Sequence, residues 1–195
     1  MGQAGVSAGD SSLTIKFTIA GASITEHPTY AVFKQAAEIL NDMGWNVEVK
    51  ADSQALTKLS TGSLEVWAAA WGSTIDPDMY QVYHINSSAT SVYAWGYREI
   101  KSNQALYSYE YSQIRALSNI IDEARTIDSS TEAGKKLRTD KYKNAMSIVL
   151  DLAVEMPIYQ RETLYAYNAK SVKGFTSEVN PYTSPLEKIW ELELV

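Results

Sequence analysis

Apolar and polar residues alternate from Leu13 to Ile19, with Leu, Ile, Phe and Ile set against Thr and Lys, the two-residue period of a half-buried strand. The period then lengthens. Phe33, Ala36, Ala37 and Leu40 fall at i, i+3, i+4 and i+7, which predicts an amphipathic helix opening at Pro28, and Gly44 supplies the residue that most easily adopts a left-handed stop. Alternation returns at Asn46 to Ala51, where Val47, Val49 and Ala51 oppose Glu48 and Lys50, the pattern of a strand near a sheet edge or with one wet face. A short helix over Gln54 to Ser60 leads through Thr61 and Gly62 to a further strand, Leu64 to Trp71. The order β-α-β-α-β predicts an α/β fold in which right-handed crossovers make much of the sheet parallel.

Beyond Trp95 the three-to-four-residue period dominates. Ile114, Leu117, Ile121 and Ala124 form one helical stripe, and Ser129 to Glu132 reads as a capping box opening a second helix that carries Leu137, Ala145, Ile148, Val149 and Leu152. Pro157 lies past the end of that helix. The segments PIYQRETLYAYN and KIWELELV read as two more strands, joined by VKGF and an Asn-Pro turn. The expected architecture is therefore a mixed, partly parallel sheet flanked by helices.

Composition narrows the function. The 195 residues are 45% apolar and 21% charged, which suits one folded domain with a single core. A net charge of -6, with 17 basic residues and no basic cluster, offers no footprint for a phosphate backbone or an anionic membrane, so no nucleic-acid partner is expected. The absence of cysteine removes disulfides, thiolate metal sites and thiol nucleophiles. No stretch resembles a signal peptide or a membrane span.

The chemistry concentrates in WAAAWGSTIDPDMYQVYH, Trp67 to His84. Strand alternation sets Trp67, Ala69 and Trp71 on one face and Val66, Ala68 and Ala70 on a flat opposite face against which a helix can pack closely. Asp76, Pro77 and Asp78 have the chemistry of a helix start: Asp76 as cap, Pro77 at the first helical position, Asp78 complementing the dipole. Between them, Gly72, Ser73, Thr74 and Ile75 would lie at the carboxyl end of a central strand, where open α/β sheets place ligands. Trp71 at the base of this loop is either a stacking platform or a core tryptophan. Tyr80, Tyr83, Tyr93, Trp95 and Tyr97 follow, amphipathic rings that suit packing or a cleft holding an organic ligand. The candidate ligand-binding set is Trp71, Gly72, Ser73, Thr74, Ile75, Asp76, Tyr93 and Trp95.

Catalytic signatures are few. There is no nucleophile elbow, no His-Glu-x-x-His and no phosphate-binding glycine loop. The two histidines, His27 and His84, read as surface or capping residues, and with no cysteine they do not predict a metal site or a cofactor. The reading is of a non-enzyme. Two alternatives are a hydrolase built on Asp76 and Asp78, and a stand-alone module whose aromatic surface binds another protein.

Four stretches together resemble the extracellular solute-binding proteins of family 5, the oligopeptide, dipeptide and nickel-binding group of ABC importers. They are LTIKFTIA with its helix and GWNVEVKA; AAWG running into DPD; the passage from IDEARTIDSSTEAGKK to AVEMPIYQ; and LYAYNAKSVKGF. The likeness runs from about Leu13 to Phe175. It implies one lobe of a type II periplasmic binding protein, with residues 1–10 a leader and 11–195 a lobe taken from a two-lobed parent.

The same resemblance implies an exported protein, periplasmic or lipid-anchored on the outer face of the membrane, that works as a monomer. Its ligand would be a small molecule or peptide held against the other lobe, and its partner an ABC permease. In such proteins the loop after the Trp-Gly strand end faces the interlobe cleft, which carries a binding role onto Trp71, Gly72, Ser73 and Thr74. Thr74 stands where peptide-binding members often place an acidic residue for the ligand's amino group, and the WGSTIDPD spacing is closer to nickel-type members.

Overall fold

A computed structural model describes residues 5–70, 72, 74–160, 164–175 and 189–195. The chain divides into two compact units, Met1–Trp71 with Asp78–Val154, and Gly72–Pro77 with Glu155–Val195.

In the first unit the alternating segments form β1 (Thr14–Ala20), β2 (Asn46–Asp52) and β3 (Val66–Trp67), a parallel sheet in the order β2-β1-β3. The protein is thus α/β, with a three-stranded parallel sheet flanked by helices. Strand β1 is central, and each of its seven residues pairs with β2, from Thr14 opposite Asn46 to Ala20 opposite Asp52. Helix α1 (Tyr30–Asp42) covers one face of the sheet. Phe33 and Ala37 bury against Phe17, Ile19 and Val47, with the Phe17 and Phe33 rings edge to face at 5.1 Å. Gly44 takes the left-handed conformation at φ 97°, as its place after the helix requires. The helix starts two residues after Pro28, and the His27 Nδ1 accepts the Thr29 N–H at 3.2 Å just ahead of it.

The predicted strand Leu64 to Trp71 is much shorter. Only Val66 and Trp67 pair with β1, opposite Phe17 and Thr18, and β3 is an edge strand of the sheet rather than a central one. Three successive alanines offer little side chain to hold a ladder, and the chain leaves the sheet at Ala68. The face assignment nonetheless holds at its start, because Val66 and Ala68 pack on the α1 side.

Helix α2 (Ala55–Ser60) follows β2. Asp52 fixes its entry: one carboxylate oxygen accepts the Gln54 N–H at 2.8 Å and the other meets the Lys58 ammonium at 2.5 Å. The Lys58 hydrogen bond, followed by the Gln54 N–H, holds the Asp52 carboxyl below its ordinary 3.8. Asp10, Asp128 and Asp140 are lowered in the same sense, by the Ser12 N–H, the Ser130 N–H and the Lys136 side chain. A depressed folded value means that the contribution is complete above 3.8 and is lost as pH falls through the folded value. Urea midpoints are expected to be level near neutrality and to drop below that point. Asp52→Asn should flatten the acid limb, and an unchanged acid limb would refute the role of this carboxylate.

Three short helices, α3 (Tyr80–Tyr83), α4 (Thr90–Ala94) and α5 (Tyr97–Ser102), lead to the long pair α6 (Ser108–Arg125) and α7 (Glu132–Asp151). The predicted α6 stripe is the core of this region: Ile114, Leu117, Ile121 and Ala124 are all essentially inaccessible, and Leu117 and Ile121 meet Ala145 and Val149 of α7. Leu137 departs from expectation and is exposed. The buried face of α7 passes instead through Arg138, seven residues before Ala145, with its guanidinium over the Tyr142 ring at 5.4 Å. The cap also moves. Thr131, not Ser129, is the N-cap, accepting the Gly134 N–H at 3.1 Å.

In the second unit, β4 (Val172–Lys173) pairs antiparallel with β5 (Glu193–Leu194), and Phe175 stacks on Tyr167 at 4.4 Å. The segment predicted as a connector, VKGF, supplies a strand, whereas the described residues of PIYQRETLYAYN form none. KIWELELV gives a single 3₁₀ turn at Ile189–Glu191 and the two residues of β5. Gly174, at φ 82°, lets the backbones meet: a Cβ there would lie 2.1 Å from the Glu191 carbonyl oxygen.

Candidate functional site

Strand β1 has two dissimilar faces. Phe17 and Ile19 enter the core beneath α1, so the alternation turns Thr18 and Ala20 to the opposite side. There they form the floor of a cleft of about 290 Å³ at the carboxyl end of the strand. One wall is α2, through Ala55, Leu56 and Leu59, together with Leu64. The other is the departing chain from Trp67 through Ala70, which opens the cleft because it leaves β1 after Trp67. This is the place where open parallel sheets accommodate ligands, outside the carboxyl ends of their strands.

Among the described residues the lining carries no charged side chain. Thr18 is its one hydroxyl, on a residue only 5% exposed, and it makes no hydrogen bond among the described residues. A hydroxyl on the cleft floor that no described protein group engages offers a lone pair and an O–H to a ligand's polar atom. Trp67 sits beside it in the β1–β3 register and offers an indole to the same space. Leu56 is largely exposed at the rim.

The residues expected to bind ligand are distributed over both units. Trp71 and Ser73 lie outside the described residues. Gly72, Thr74, Ile75 and Asp76 belong to the second unit, where the Thr74 hydroxyl donates to the Asp76 carbonyl oxygen at 2.7 Å and Ile75 is exposed. Tyr93 and Trp95 belong to the first unit but not to the described lining of the cleft. Tyr93 lies under the Arg98 guanidinium at 4.1 Å, and Trp95 stacks on Tyr83 at 5.1 Å and tilts against Tyr97 at 6.0 Å. These two rings act in packing between short helices.

Asp76 does not start α3. Asp78 accepts the Tyr80 N–H at 2.8 Å and pairs with Arg125 Nε at 3.1 Å, and the helix begins at Tyr80. The Asx turn at Asp78 closes one residue ahead of the N-cap Met79, which moves the start three residues past Pro77. Arg125 also covers the Tyr80 ring at 4.4 Å, and that ring stacks on His84 at 4.2 Å.

His84 is buried, not at the surface. Its Nδ1 accepts the Asn86 N–H at 3.0 Å, which leaves the proton on Nε2, 3.3 Å from Asp122 Oδ2. Nδ1 therefore serves the turn between α3 and α4, and Nε2 ties that turn to Asp122 on α6. The Tyr97 hydroxyl is buried without a hydrogen-bond partner among the described residues, and desolvation pushes its ionisation well above the ordinary phenol value. Tyr97→Phe removes a desolvated polar atom and is expected to raise the unfolding free energy by about 1 kcal/mol in urea titrations. A comparable loss of stability would mean that the hydroxyl has a partner.

The sequence reading missed Thr18, Leu56 and Leu59. The available signal was a threonine between two core residues of a central strand, followed in the next α/β unit by a helix whose leucines are three apart. No protein-family model, curated protein or solved structure matches this chain.

Proposed function

We propose that this protein is the solute-binding component of an ABC importer: one of two lobes that close on a small organic solute outside the membrane and present it to a permease. The observation that carries the reading is the apolar cleft at the carboxyl end of β1, with the Thr18 hydroxyl as its polar contact. The resemblance of the four sequence stretches to family 5 solute-binding proteins supports the same role. Such a role needs no chemistry on the ligand. It needs a concave surface whose affinity is greater in the closed form than in the open one, because that difference is what drives closure. An apolar half-site suits this, since burial from the second side removes the remaining ligand surface from water.

One lobe supplies part of a convergent site, and each 1.4 kcal/mol of missing contact costs about tenfold, so this chain alone is expected to bind in the millimolar range. The test is thermal melting with separate pools of short peptides, oligosaccharides and chelated nickel. One pool should raise the midpoint by about 3–5 °C at roughly ten times its Kd. Ala69→Phe, which fills the cleft from an exposed position, should abolish that rise. No rise with any pool, or an equal rise in the Phe variant, would overturn the reading.

A further inference from the structure

The geometry points to a solute that inserts a neutral, apolar group, a branched aliphatic chain or a single aromatic ring, between Leu59 and the Trp67 indole, with an adjoining polar atom on the Thr18 hydroxyl. This rests on the cleft being the solute site and adds the class of ligand.

Charge is the first constraint. Among the described residues no lining side chain is ionisable, and an ion or a strongly hydrated group brought among Ala55, Leu56, Leu59 and Leu64 would lose its water without a partner. Sugars and charged side chains are disfavoured for that reason. Size is the second. The volume of about 290 Å³ is roughly twice the ~150 Å³ of an apolar cavity that admits benzene, so one ring or branched chain fits with room for the atoms that join it to the solute.

Thr18 is the third constraint, and it is independent of the apolar lining. The residue is only 5% exposed and lies on the cleft floor, and its hydroxyl makes no hydrogen bond among the described residues. A ligand carrying only hydrocarbon would leave this group unsatisfied. One with a carbonyl or amide next to the apolar group would complete it.

The experiment compares N-acetyl-leucinamide, N-acetyl-phenylalaninamide, N-acetyl-serinamide and N-acetyl-lysinamide, which share one backbone, in NMR titrations of the methyl-labelled chain. The leucine and phenylalanine probes are expected to shift the Leu56 and Leu59 methyls and the Trp67 indole, binding about tenfold tighter than the serine and lysine probes. Thr18→Val should weaken both apolar probes while the fold, read from unperturbed α6 and α7 resonances, is kept. Equal affinity for all four probes would overturn the assignment of ligand class while leaving the cleft a solute site. Absence of any shift at the cleft would overturn the class and the solute-binding reading together.

Discussion

Ile121→Ala is expected to lower the unfolding free energy by about 3 kcal/mol, measured by urea denaturation with a probe on α6. Ile121 is completely inaccessible and clusters with Ala145 and Val149 of α7, with Leu117 one turn away on its own helix. Truncation removes buried methylenes and leaves a cavity, and two helices joined by the turn around Asp128 cannot both move inward to fill it. The contrast is Leu137→Ala. That leucine is exposed on the same helix pair, and its loss is expected to cost under 0.5 kcal/mol. Equal costs at the two positions would refute the described register of α7.

Gly134→Ala is the second large effect. A Cβ at Gly134 would lie 1.8 Å from the Asp128 carbonyl oxygen and 3.1 Å from Thr131 Oγ1. Backbone cannot yield as a flexible side chain can, so the turn preceding α7 must shift and the Thr131 cap must weaken. The combined expectation is about 2–4 kcal/mol of lost stability, although alanine is the better helix former. Thr131→Ala, which removes the cap alone, should cost about 1 kcal/mol. A stabilised Gly134→Ala protein in the same urea assay would mean that helix propensity outweighs the contact.

Much of the fold could be read from periodicity because burial enforces it. The β1 and β2 alternations, the α1 stripe ending at Gly44 and the α6 stripe all correspond to faces that meet a core. Legibility failed where local chemistry had several uses. Ser129, Ser130 and Thr131 can each cap a helix, and which one does so depends on the Gly134 backbone fitting against Asp128. Asp76 and Asp78 are similarly interchangeable by composition, and the Arg125 guanidinium and Tyr80 N–H decide for Asp78. Leu137 and Arg138 are neighbours in phase, and a long aliphatic stem let arginine take the buried position.

The candidate site was legible only in its neighbourhood. Alternation set Trp67 and Ala69 on a face apart from Val66, as found, whereas the strand ahead of the Gly72–Ile75 loop, expected to be central, lies at the sheet edge. What sequence alone could not give was the early departure of Ala68–Ala70 from β1. Alanine's weak preference for strand permits that departure, and the pairing of β3 at only two residues fixes it. The cleft exists because of it. The aromatic residues that drew attention, Tyr93 and Trp95, are occupied by Arg98, Tyr83 and Tyr97.

The central claim is that a solute occupies the space above Thr18, and intermolecular NOEs measured with N-acetyl-leucinamide at saturating concentration locate it directly. The account predicts NOEs from the leucine methyls to the Leu59 methyls and the Trp67 indole, and from the amide region to the Thr18 methyl. NOEs confined to residues outside the cleft, with none to Leu59, Trp67 or Thr18, would contradict it.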